Sequence, residues 1–107
     1  MSSDQVSVGE IVFSNTKPFV LIGGVNVLEG YDFAMNAAEK FAEVCSKLSI
    51  PIVFKASYDK ANRSSIKSYR GPGVEKGIKI LSRIKKEIGI PILSDVHCCN
   101  EIDIVQD

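Results

Sequence analysis

The tripeptide Ile50-Pro51-Ile52 returns forty residues later as Ile90-Pro91-Ile92, and Pro18 stands thirty-three residues before Pro51 at the head of another apolar run. Each proline sits where a strand can begin without losing a ladder hydrogen bond. The period is that of a strand, a crossover helix and the next strand. The strands so marked are Phe19-Val20-Leu21-Ile22, stopped by Gly23-Gly24, then Ile52-Val53-Phe54, then Ile92-Leu93. Apolar residues on consecutive positions predict strands covered on both faces, as in parallel sheets wrapped by helices.

Two helices fill the intervals. Ala34, Ala37, Ala38, Phe41, Ala42, Cys45 and Leu48 recur in steps of three and four and predict a helix from Tyr31 to Leu48 with one face in the core. Val74, Gly77, Ile78, Leu81, Ile84 and Ile88 mark a second. Ahead of them, Val6-Ser7-Val8 and Ile11-Val12-Phe13 flank Gly9-Glu10, which predicts a hairpin with positive φ at Gly9. At the other end, Asn100 and Asp103 resemble a helix start that runs into the last residue, Asp107. The expected order is a hairpin over 1–16, then β-α-β-α-β and a begun third helix over 17–107.

Such a pattern fits either a doubly wound sheet or a (β/α) barrel. Gly23-Gly24-Val25-Asn26 lacks the G-x-G-x-x-G spacing of a dinucleotide site, and no G-x-x-x-x-G-K-[ST] loop occurs. Each strand also ends in polar residues: Asn26 after the first, Lys55 on the second, Asp95 and His97 after the third. Barrel enzymes assemble their chemistry from polar strand ends at one rim, so an α/β TIM (β/α)8 barrel is the favoured fold. A whole barrel takes about 250 residues, so these 107 supply roughly the first three βα units, with open sheet edges.

Thirteen Lys plus Arg balance thirteen Asp plus Glu, which gives no overall attraction to nucleic acid or an anionic membrane. No apolar run approaches the ~18 residues of a membrane helix, and Met1 to Gln5 lack the features of a signal peptide. A cytoplasmic protein is expected. Its three cysteines are expected as thiols, since Cys98 and Cys99 are adjacent and Cys45 falls on the apolar helical stripe.

The charge that does stand out is local. From Lys55 to Arg70 there are five cations, Lys55, Lys60, Arg63, Lys67 and Arg70, against the single acid Asp59. Asn62, Ser64, Ser65 and Ser68 interleave them, and Gly71-Pro72-Gly73 leads into the second helix. Ammonium, guanidinium, hydroxyl and helix-start N–H groups together suit a phosphate or carboxylate ligand. A basic loop can also be merely solvated, and the two glycines can be only a turn into the helix. Lys55 weighs toward function, because it directly follows Phe54 at the end of a buried strand and is thereby forced toward the rim.

The run Lys55-Ala56-Ser57-Tyr58-Asp59-Lys60-Ala61-Asn62-Arg63-Ser64-Ser65, continued by Ser68-Tyr69-Arg70-Gly71-Pro72-Gly73, closely resembles the signature loop of the 3-deoxy-D-manno-octulosonate 8-phosphate synthase family. The resemblance extends through Gly23-Gly24-Val25-Asn26-Val27-Leu28-Glu29 and Ser94-Asp95-Val96-His97, and is weakest over the last ten residues. It implies condensation of phosphoenolpyruvate with D-arabinose 5-phosphate, for lipopolysaccharide or cell-wall sugar synthesis, by a homotetramer. It further implies Lys55 as a carboxylate partner, Lys60 as a catalytic cation bridging both substrates, and Asn62 on a sugar hydroxyl. Arg63 and Ser64 would grip the sugar phosphate, and Asp95 would orient a hydroxyl or handle a proton.

Asn26 bears on metal. The family has one form with a cysteine here that binds a divalent metal and one with asparagine that works without it, so Asn26 implies a catalytic position in a metal-independent enzyme without cofactors. Asparagine cannot supply the thiolate that a borderline ion prefers. Asp95, His97, Cys98 and Cys99 form a tempting cluster, but they lack C-x-x-C spacing, and a structural role is the stronger reading. Cys98-Cys99 itself departs from the family pattern after the histidine. Two rivals stand beside this reading. One is a related phosphoenolpyruvate-condensing synthase, of the heptulosonate 7-phosphate or sialic acid type. The other is an inactive truncated fragment, since the family's remaining phosphate-binding residues lie on later strands.

Overall fold

The computed structural model describes residues 4–59 and 70–106. Strands β1 (Gln5–Val8) and β2 (Ile11–Ser14) pair antiparallel, with Val8 opposite Ile11 and Gly9 at φ 58 in the turn. A second sheet follows, built from β3 (Leu21–Val25), β4 (Ile52–Ala56) and β5 (Ile92–Leu93) in the order β3-β4-β5, all parallel. Between them run α1 (Tyr31–Lys47) and α2 (Val74–Ile88), and a 3-10 turn (Cys99–Glu101) leads into the short α3 (Ile102–Val105). Parallel neighbours must be re-entered from the same end, which is why a helix separates each pair.

The expected elements are present, with shifts at the first parallel strand, which begins at Leu21 and leaves Phe19 67% exposed, and at the end of α1. The first strand of the parallel sheet runs through Gly23-Gly24 instead of stopping there. Gly23 pairs with Phe54 and Gly24 with Lys55. A Cβ on Gly24 would lie 1.8 Å from the Lys55 carbonyl oxygen, and one on Gly23 would lie 2.9 Å from the Phe41 ring of α1. The glycines here permit close approach of backbone and helix instead of breaking the strand.

The same contacts assign the two faces of the sheet. Gly23 looks toward α1, and the Phe54 ring meets Phe41 edge-on at 6.1 Å, so these positions face the helices. The core lies on this side: Leu28, Ala34, Ala38, Phe54, Ala56, Tyr58, Leu81 and Ile84 are each at most 1% exposed. Alternation along the strands sends Ile22, Gly24, Val53 and Lys55 to the other face. There Val53 is buried, but Ile22 and Leu93 stay 47% and 40% exposed, so the described residues cover one face fully and the second only in part.

The helix ends follow local chemistry. Past α1, the Ile50 N–H donates to the Cys45 carbonyl at 2.8 Å and Ser49 N–H to that of Ser46 at 3.2 Å, with Ser49 left-handed at φ 56. This is a Schellman closure in which serine takes the usual glycine position. It stops the helix at Lys47 and leaves Leu48, expected on the apolar stripe, 63% exposed. Helix α2 ends on Gly89 at φ 78, and the two helices are clipped outside the core, where the Tyr31 hydroxyl and the Arg83 guanidinium both donate to Glu87. The cysteines are all free thiols, Cys45 buried and Cys98 and Cys99 exposed. No helix among the described residues is long and apolar enough to cross a membrane.

Two glycines test this packing. Gly77 of α2 lies against Tyr58, where an added Cβ would sit 2.3 Å from the Tyr58 Cβ. Alanine is favoured over glycine inside a helix by about 1 kcal/mol, but overpacking costs about 1–3 kcal/mol, so Gly77→Ala is expected to destabilise despite the better propensity. Gly24→Ala, against backbone that cannot swing aside, is expected to cost about 3 kcal/mol or more, and Gly23→Ala, against the edge of a ring, about 1 kcal/mol. Thermal melts of the three variants of the full-length protein check the order; a Gly24→Ala protein as stable as the wild type would contradict the strand pairing.

Candidate functional site

Because β3, β4 and β5 are parallel, their C-terminal ends lie along one edge of the sheet. Asn26 directly follows β3 and is exposed. Lys55, the fourth residue of β4, is exposed on the face away from the helices, between Gly24 on one neighbour and Leu93 on the other. Asp95 follows β5 by two residues with its side chain 45% exposed. The structure therefore brings Asn26, Lys55 and Asp95 to a common rim. Lys60, Asn62, Arg63 and Ser64 lie outside the described residues. The hairpin is far from this rim: Val8, Gly9 and Ile11 border an apolar cavity with Pro51 and Pro91, at the ends where β4 and β5 begin.

The rim is knitted together at Ser57 and Tyr58. The Leu28 N–H donates to the Ser57 carbonyl at 3.0 Å, which ties the segment after β3 to the end of β4. The Gly73 N–H donates to the Tyr58 carbonyl at 3.0 Å, which ties the start of α2 to the same place. Gly71 and Gly73 take φ values of 123 and 90, and a Cβ on Gly71 would come within 2.5 Å of the Tyr58 carbonyl oxygen. The two glycines thus make a turn into the helix, and the Gly73 N–H is spent on Tyr58. Arg70 donates to both Asp59 oxygens at 2.6 and 3.3 Å, so this member of the cationic run is engaged by the run's own acid.

Tyr58 and Glu101 carry a part of the site to which the residue pattern assigned no role. The Tyr58 ring is fully buried, and its hydroxyl donates to Glu101 Oε1 at 2.6 Å. The same oxygen accepts the His97 N–H at 3.4 Å. The His97 ring stands edge-on to Tyr58 with centroids 5.5 Å apart, and its Nε2 is 3.5 Å from Asp95 Oδ2. Tyr58 extends the period-two series Phe54, Ala56, Tyr58, which is a usable sign of burial on the helix side. Nothing local marks Glu101, whose contact with Tyr58 spans 43 positions.

Asp95, His97 and the two cysteines do not converge as a ligand set. The Cys98 thiol points to Asn100 Oδ1 at 2.7 Å. Desolvation and then the nearby Glu101 carboxylate push that thiol above its ordinary pKa, which favours S–H over the thiolate that binds metals. Among the described residues, no group of three or more His, Cys, Asp or Glu side chains is placed to hold a metal ion.

Burial, and then the hydrogen bond and charge of Glu101, push the Tyr58 phenol up to about 12. Raised above its unfolded value of 10.0, the phenol keeps its proton in the folded state while the unfolded chain loses it. The phenol's contribution to folding stability is therefore complete below pH 10 and expected to be lost as pH rises from there toward about 12. Denaturation of the full-length protein across that range, compared with Tyr58→Phe, measures it; equal alkaline slopes in the two proteins would contradict the buried pair.

A model of the DAHP synthetase I family matches residues 2–107. Among curated relatives named 2-dehydro-3-deoxyphosphooctonate aldolase, that of Parasynechococcus marenigrum is 55% identical over 101 residues, which cover 94% of this chain and 36% of the relative. One from a Synechococcus species is 60% identical over 97 residues, 91% of this chain and 34% of the relative. One from Shewanella baltica is 54% identical over an alignment of 113 positions, gaps included, that covers 99% of this chain and 40% of the relative. The chain thus spans little more than a third of the length of the curated relatives it matches.

Proposed function

The chain belongs to the DAHP synthetase I family, and from that membership we propose that the whole protein condenses phosphoenolpyruvate with D-arabinose 5-phosphate to 3-deoxy-D-manno-octulosonate 8-phosphate and inorganic phosphate. The observation that carries this is the identity of 54–60%, across nearly all of this chain, with relatives named for the octulosonate reaction. The parallel β3-β4-β5 sheet and its crossover helices are read as the first three units of a (β/α)8 barrel, with 1–16 as hairpin and loop and 17–107 as part of the barrel. The cytoplasm, a homotetrameric assembly and a place in lipopolysaccharide or cell-wall sugar synthesis belong to the same proposal.

In this reading the enol carbon C3 of phosphoenolpyruvate attacks the sugar aldehyde, water adds at C2, and phosphate leaves with cleavage of its C–O bond. Two anionic substrates must be held against each other while charge develops, which a fixed set of cations and hydrogen-bond donors can do. Lys55 takes the phosphoenolpyruvate carboxylate, and its support is an exposed ammonium on a strand held between two neighbours. Lys60 bridges the substrates, Asn62 holds a sugar hydroxyl, and Arg63 with Ser64 grips the sugar phosphate. Asp95 orients a hydroxyl or carries a proton, and its support is a half-exposed carboxylate on the rim that Lys55 shares. Asn26 acts at the substrate without metal, as a neutral carboxamide supplies no thiolate.

A related synthase that uses a shorter sugar phosphate is the second reading, favoured by the name of the matching family model. Phosphate release by the full-length protein separates the two. Turnover is expected with phosphoenolpyruvate and arabinose 5-phosphate, unchanged by a chelator, and not with erythrose 4-phosphate; turnover only with the tetrose, or its loss on chelation, would sink the octulosonate or the metal-independent part respectively. Lys55→Ala is expected to lower kcat/KM for phosphoenolpyruvate about tenfold to a hundredfold, mainly through KM, as loss of one charge-assisted contact. Arg63→Ala is expected to raise KM for the pentose phosphate about tenfold or more, the scale of one charge-assisted contact.

A further inference from the structure

Strand β5 is two residues long, so the backbone from Ser94 onward leaves the ladder at once. Beyond the ladder, the Ser94 hydroxyl donates to the Asp95 carbonyl at 3.2 Å, and the Asp95 carboxylate is in contact with the His97 ring. That contact leads, through His97, to Tyr58. The His97 ring lies against the Tyr58 ring, its Nε2 lies 3.5 Å from Asp95, and its backbone N–H shares Glu101 Oε1 with the Tyr58 hydroxyl.

Tyr58 itself has no freedom to follow the loop. It is 0% exposed, Gly77 packs onto its Cβ, and the Gly73 N–H holds its carbonyl. One side of the network is thus anchored in the core beside β4 and α2, and the other is the irregular stretch from Ser94 to Cys98 and the 3-10 turn that carries Glu101. A phenol donating to a carboxylate at 2.6 Å is a charge-assisted bond, short and direction-sensitive.

We propose that Tyr58 and Glu101 are positioning residues, which fix the segment after β5 so that His97 holds the Asp95 carboxylate in place for reaction at the rim. This rests on the synthase reading of that rim. Neither residue touches substrate; both act through His97.

The test uses the full-length protein. Tyr58→Phe keeps the ring and its packing and removes only the donor, and it is expected to lower kcat about tenfold while KM for phosphoenolpyruvate stays within about twofold. Glu101→Ala is expected to match it, Glu101→Gln, which retains an acceptor oxygen, to restore most of the rate, and the double variant Tyr58→Phe/Glu101→Ala to be no worse than either single change. An unchanged kcat in Tyr58→Phe, or losses that multiply in the double variant, overturns the proposal.

A second readout needs no turnover. The ring NMR signals of His97, assigned with His97→Gln, are expected to move in Tyr58→Phe and Glu101→Ala and to stay near their wild-type positions in Glu101→Gln. Signals that stay put in the first two variants overturn the proposal whatever the substrate. A wild-type protein that turns over no pentose phosphate, yet shows the His97 response, overturns the synthase reading alone and supports the coupling of Tyr58 to His97.

Discussion

Parallel pairing of β3, β4 and β5 is the constraint from which the rest of the molecule follows. Strands that run the same way must be joined by crossovers, and the crossovers here are amphipathic helices whose apolar faces need the sheet as much as the sheet needs them. The same direction places the C-terminal ends of these strands on one edge, so that Asn26, Lys55 and Asp95 share a rim although 69 positions separate the first from the last. The pairing itself depends on Gly24, because only a residue without a Cβ lets the β3 backbone lie against the Lys55 carbonyl.

Around that edge the protein divides its groups between two tasks. Lys55 leaves the core on the face away from the helices, where its charge stays hydrated and accessible. Tyr58, three residues on, turns into the core and holds others in place: Gly73 by its carbonyl, Glu101 by its hydroxyl, His97 by its ring. Within four residues the chain passes from a group suited to meeting an anion to one suited to holding the frame. The Asp59–Arg70 pair belongs to the second kind. It consumes one of the cations whose excess first suggested an anion site.

Much of this was legible in advance. The proline-headed apolar runs located the strands, the steps of three and four located both helices, and Gly9 marked the hairpin turn. What misled was local grammar taken out of context. Gly23-Gly24 looks like a strand stop, but their missing side chains make room for Phe41 and the Lys55 carbonyl. Leu48 continues the apolar stripe of α1, but Ser49 closes the helix before that stripe can include it. Gly71-Pro72-Gly73 could serve an anion or a turn, and the Gly73 N–H on Tyr58 favours the turn.

By itself the sequence determined the order of elements, the face each helix buries and the placing of Lys55 at a strand end, since these depend on periodicity and on the dihedral limits of proline and glycine, which act over a few residues. Only the tertiary structure decided the register that sets Lys55 between Gly24 and Leu93, and the link from Tyr58 through Glu101 and His97 to Asp95. Hydrogen bonds and ring contacts between positions some forty residues apart leave no periodic trace in the chain. They exist only once packing has brought their partners together.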